Sequence, residues 1–96
     1  SESTEELVRH LQNPIGWWRD TAQKLILLRK DREKAIPLLQ GLFRFTQSPL
    51  PRMHALWTLD GMKALTPEIK GEALSDRSQE LRRAMVQIIE PHLPQE

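Results

Sequence analysis

Three octapeptides can be laid over one another in chain order: WRDTAQKL, PRMHALWT and LRRAMVQI. Arg19, Arg52 and Arg82 then align, 33 and 30 residues apart, and three residues after them stand Ala22, Ala55 and Met85. Six residues before each Arg sit Asn13, Thr46 and Asp76, two of which are good helix caps. A repeat of this length means one supersecondary unit copied along the chain, each copy burying the flank of the next. A small residue one turn after an Arg suits close stacking of successive units.

The unit is helical. No alternating Val/Ile/Thr run and no Asn-Gly or Asp-Gly hairpin turn occurs. Helical spacing of apolar residues recurs instead. STEELVRHLQ sets Leu7 and Leu11 four apart beside Val8, with Ser3 and Glu6 at capping-box spacing. NPIG breaks the chain, and WWRDTAQKLILLRK then places Trp18, Ala22, Leu25 and Leu28 on one stripe, closed by Arg29 and Lys30. REKAIPLLQGLFRF carries Ile36, Leu39, Leu42 and Phe43, and its Pro37 belongs in a first turn. RMHALWTLDGMKAL gives Ala55, Leu59 and Met62, with Gly61 allowing close packing. TPEIKGEALS opens with Thr66 as N-cap and Pro67 at N1, and DRSQELRRAMVQIIEPHLP presents Leu81, Met85 and Ile88 until Pro91 ends it. The expectation is one all-α domain over 1–96. It is built as three antiparallel helix pairs over about 3–30, 31–64 and 65–93, stacked in a right-handed α-solenoid.

Composition narrows the chemistry. Fourteen Lys and Arg face 13 Asp and Glu, a net charge of +1, which advertises neither a nucleic-acid nor a membrane partner. Cysteine is absent, which removes disulfides, thiolate zinc sites, Cys nucleophiles and covalent haem attachment. No apolar run nears the roughly 18 residues of a membrane span. His10, His54 and His92 lack metal-ligand spacing, and neither a P-loop nor a G-x-G-x-x-G occurs. No metal, cofactor or catalytic residue is therefore expected, and the chain is read as non-enzymatic. It begins at Ser1 without a visible signal peptide, and is read as a processed chain or a segment of something larger.

A helix pair whose second helix begins after an Asp/Asn-type turn and continues apolar-Arg-x-x-Ala resembles HEAT repeats. KAIPLLQGLF is similar to that family's proline-containing first helix, and Arg19, Arg52 and Arg82 match its recurrent Arg. Met85 stands where a small residue is expected. The resemblance spans nearly the whole chain. More narrowly, GWWRDTAQ followed by SPLPRMHALWTLDGM looks like the HEAT segment of planctomycete-type membrane-bound-dehydrogenase-like proteins, in which a propeller precedes that segment and a cytochrome c domain commonly follows. The resemblance implies an internal segment of an extracytoplasmic or periplasmic protein. The propeller's catalytic residues and the haem motif have no counterpart here, so no redox activity carries over.

The adjacent Trp17 and Trp18 point about 100° apart on a helix, so one stripe cannot hold both. Trp18 aligns with the apolar position of Leu81 and is assigned to the core. Trp17 is left for a site or an inter-element contact. His54 and Trp57, three apart on one helix, can touch. Trp17, Arg52, His54 and Trp57 are thus the candidate binding residues, on a surface formed by the second helices. Arg19, Ala22, Arg52, Ala55, Arg82 and Met85 are the structural repeat positions. The expected function is a protein-binding scaffold that links or orients domains of a larger bacterial protein. The alternative is a nucleic-acid-binding HEAT protein resembling the alkylpurine DNA glycosylases, for which Trp17, Asp20 and Arg52 would supply the Trp, Asp and Arg of a concave groove. The near-neutral charge argues against it.

Overall fold

The computed structural model describes residues 2–92, so the end of the third expected repeat, position 93, lies outside the described residues. Within them the chain is helical and contains no strand. The six helices are α1 (Thr4–His10), α2 (Gly16–Leu28), α3 (Ala35–Phe45), α4 (Pro49–Gly61), α5 (Pro67–Leu74) and α6 (Gln79–Ile89). One 3₁₀ turn, Arg32–Lys34, leads into α3, and another, Glu90–His92, follows α6.

Local chemistry explains the boundaries. Ser3 and Glu6 close a capping box on α1. Thr66 accepts from the Ile69 amide at the start of α5, with Pro67 at N1, and Pro37 lies in the first turn of α3. The end of α4 is unusual. Lys63 has φ 57°, and the Ala64 amide reaches back to the Leu59 carbonyl at 2.8 Å. This is the six-to-one closure of a Schellman turn, with Lys in the left-handed position usually given to glycine. Arg29 and Lys30 do not sit in the last turn of α2, which ends at Leu28. Arg29 is the extended residue after it, donating to the Asp31 carboxylate at 2.9 Å and to the Glu2 carbonyl at 2.6 Å.

The helices pack in consecutive pairs, α1 on α2, α3 on α4 and α5 on α6. The second helices also touch in series, α2 against α4 and α4 against α6, while α1 lies beside α3. Among the described residues, no helix of the first pair packs broadly on one of the third. The principal extents are 46 × 27 × 23 Å. One core runs through the layer between first and second helices, from Leu7, Val8 and Leu11 through Leu39, Phe43 and Leu59 to Leu81 and Met85.

Helix α2 departs from the expected stripe. Ala22 and Ile26 are buried, whereas Trp18, Leu25 and Leu28 are 42%, 43% and 80% exposed. The helix is rolled so that Ala22 and Ile26 enter the core and Gln23 and Leu27 meet α4. A Cβ built on Gly61 would lie 3.2 Å from the Leu27 methyls, so the bare glycine admits the close approach of α2 and α4. Trp18, Leu25 and Leu28 are carried to the flank away from α4, beside α1, and stay exposed.

Candidate functional site

Each second helix begins from a similar turn. The Asn13 side chain accepts from the Ile15 amide at 2.9 Å, and the Asp76 side chain accepts from the Ser78 amide at 2.9 Å. Both are Asx turns, which set the chain for helix entry two residues on. The aligned arginines then reach back over them. Arg19 donates to the Asn13 carbonyl at 2.7 Å and Arg82 to the Asp76 carbonyl at 2.6 Å. The six-residue spacing read in the sequence is therefore a hydrogen-bonded clasp at two of the three positions.

Arg52 makes a different set of bonds. Its Nε donates to the Phe43 carbonyl at 2.7 Å, and Nη1 and Nη2 grip the Asp76 carboxylate at 3.2 and 2.6 Å. The guanidinium also sits 5.0 Å from the Phe43 ring centre. Both partners of this fork are largely buried. The Arg52 guanidinium beside Asp76 holds its carboxyl below the usual carboxylate range, helped by the Ser78 amide. Arg52 thus joins the second pair to the third. Thr46, its own turn residue, is replaced as acceptor by Phe43 and Asp76. Sequence reasoning missed the central part Asp76 plays, although the Asp76-x-Ser78 spacing is a readable turn signal.

The other candidates lie between and along α2 and α4. His54 is buried, with Nδ1 3.0 Å from Gln23 Oε1 and Nε2 3.9 Å from Asp20 Oδ1 across the helix interface. Its ring meets Trp57 edge-on at 5.2 Å. Burial pushes the His54 imidazole below its ordinary value. Nearby Arg19 adds to that shift and Asp20 opposes it. Trp57 is half-buried and packed on the core. The Arg19 Nε is a buried polar atom without a partner, the one such side-chain atom found among the described residues.

Trp17 stands apart from this cluster. It is 64% exposed and touches the edge of Trp18 with ring centres 4.7 Å apart. Trp18 in turn stacks on His10, which is paired with Glu2. Leu50, the register equivalent of Trp17 on α4, is also exposed, at 46%. The four candidates therefore divide. Arg52 and His54 are buried structural contacts, Trp57 packs on the core, and Trp17 is a free aromatic surface.

Among the described residues, no three His, Asp or Glu side chains are placed to share a metal ion, and no helix is long and apolar enough to cross a membrane. Comparison with protein-family models, with curated proteins and with solved structures found no match to the chain.

Proposed function

We propose that this chain is a non-catalytic α-solenoid of three HEAT-like helix pairs, and that it binds protein through the outward face of its second helices. The observation that carries this is the contact between α2, α4 and α6 in series, with Trp17 and Leu50 exposed at equivalent positions of the first two. An exposed Trp on a rigid helix is a common interface anchor, because it supplies a large apolar area at small entropic cost. The elongated 46 × 27 × 23 Å shape and the recurrent Arg clasps support the repeat architecture. In this reading the domain links or orients its neighbours in a larger bacterial protein.

The nucleic-acid alternative loses a residue it requires. Arg52 is buried and neutralised by Asp76, so it is not available to a phosphate.

A photo-crosslinking residue at position 17, expressed in the source cells, tests the proposal. Capture of a polypeptide at position 17, but not from a control position on the first-helix side such as Lys34, supports it. Capture of nucleic acid, or equal capture at both positions, contradicts it.

A further inference from the structure

The turn between α3 and α4 lies beside the turn between α5 and α6, because two arginines of the second pair reach carboxylates of the third. Arg44 forks onto Glu72 at 3.0 and 2.8 Å, much as Arg52 forks onto Asp76. Between the turns is a cleft of about 520 Å³. That is within the size range of ligand sites, roughly 300–1,000 Å³. Both forks line it. The other groups that line it take no part in either fork: Phe45, Thr46 and Gln47 from the first turn, Ser75 and Arg77 from the second.

Two of these residues depart from the other turns. In the register set by Asn13, Thr46 and Asp76, the preceding residue is Gln12, Phe45 and Ser75 in turn. The first and third turns are made with a polar residue there, and Phe45 buries little, being 84% exposed. The following residue is Pro14, Gln47 and Arg77. Arg77 is exposed, and among the described residues it forms no ion pair. One exposed apolar side chain is ordinary on a protein surface. Here it shares a cleft with an unpaired guanidinium, at positions where the turn itself requires neither.

We propose that this cleft binds an extended peptide segment of a partner protein, one that carries a single carboxylate side chain next to an apolar one. The carboxylate pairs with Arg77 and the apolar side chain covers the Phe45 ring. The Thr46 and Ser75 hydroxyls and the Gln47 amide offer donors and acceptors to the peptide groups. Charge selects a peptide over nucleic acid. Arg52 is held by Asp76, and Arg44 by Glu72 with Glu68 also near it, which leaves one cation to a ligand. A phosphate chain needs several, and the Glu72 and Asp76 carboxylates repel it. The cleft lies at the turn edge, apart from the outward face of the second helices, and uses neither Trp17 nor Leu50.

Random dodecapeptides displayed on phage and selected on the whole chain test this. The selected sequences should share an Asp or Glu next to an apolar residue. A synthetic peptide of the shared sequence, followed by fluorescence anisotropy, should lose on the order of tenfold in affinity with Arg77→Gln or with Phe45→Ser. Each substitution installs the residue type that another turn carries at the same position, Gln47 or Ser75, so Tm should hold. Arg77→Glu should turn the selected charge from acidic to basic. The proposal is overturned by the lack of any shared sequence, or by one whose binding ignores both Arg77→Gln and Phe45→Ser. Tighter binding of a single-stranded oligonucleotide, abolished by Arg77→Gln, overturns it as well. Crosslinking at position 17 reports on another face, so failure here is separable from failure of the reading proposed above.

Discussion

Arg52 shows how a residue read as a binding anchor can be a joint. Its guanidinium satisfies a buried carbonyl and a buried carboxylate at once. Truncation leaves the carbonyl without its donor and the carboxylate without its cation, with only the Ser78 amide still donating to it, so R52A should cost on the order of 3–5 kcal/mol in chemical denaturation. R52K keeps the charge but loses the fork, and should recover part of that. The six-residue spacing from Asn13 to Arg19 and from Asp76 to Arg82 was legible in the sequence, but the acceptor of Arg52 was not, since Asp76 lies 24 residues further on. Lys63 offers the opposite sign. A left-handed backbone costs an L side chain roughly 1 kcal/mol, so K63G should stabilise the chain by about 0.5–1 kcal/mol net of glycine's unfolded-state entropy. An equal or larger loss would show that the Lys63 turn is not strained.

His54 sets a pH dependence. Its folded value lies below the ordinary 6.5, mainly through burial, so the unfolded chain binds more protons as pH falls. This contribution is therefore fully favourable above about pH 6.5 and is lost as pH falls from there towards the folded value. Asp76 has the other sign of charge but the same direction. Its lowered carboxyl stabilises the fold above the ordinary 3.8, and that gain is lost on further acidification. Stability measured from pH 8 to pH 3 should therefore decline in two separated stages. H54Q should remove the first and leave the second. A first stage unchanged in H54Q would assign it elsewhere.

At the scale of elements, the core stripes of four of the six helices were legible, because their apolar residues face one layer and periodicity alone locates it. Leu7 and Leu11, Leu39 and Phe43, Ala55 and Leu59, and Leu81 and Met85 are all buried as expected. Helix α2 was not legible in the same way. WWRDTAQKLILL is apolar on more than one side, so periodicity permits several rolls of the helix. The choice among them is made by contacts distant in sequence, Gln23 with His54 and Leu27 with Gly61. The adjacent tryptophans are explained by the same roll. Trp18 takes the flank and stacks on His10, while Trp17 takes the outward surface. The two exposed-looking tryptophans of the sequence therefore differ in cost. W17A should change stability by less than about 1 kcal/mol, whereas W57A should cost roughly 2–4 kcal/mol because its ring packs on the core. A large loss in W17A would return that ring to internal packing and remove the anchor of the proposed surface.

At the scale of the whole molecule, the succession of pairs is what turns six short helices into a surface. In the proposed stack each pair's core is completed by its neighbour. Electrostatics follows from the same arrangement. Arg52 is held by Asp76 and Arg44 is forked onto Glu72, and the net charge of the chain is only +1. Duplex DNA should therefore bind weakly and lose affinity steeply between 50 and 200 mM salt, on the order of the behaviour of a purely phosphate-directed contact. A filter-binding or anisotropy titration with sub-micromolar affinity at physiological salt would contradict this.

The order of stacking is open to direct trapping, because the chain has no cysteine of its own. L27C/G61C places one thiol on α2 and one on α4 where Leu27 already meets the glycine. L27C/I88C places the second thiol on α6 instead. With a short thiol-to-thiol crosslinker, the stacked arrangement predicts rapid intramolecular closure of L27C/G61C and almost none of L27C/I88C in the native chain. Comparable closure of both pairs would mean that the first and third helix pairs meet in a closed bundle, and would contradict the stack of three.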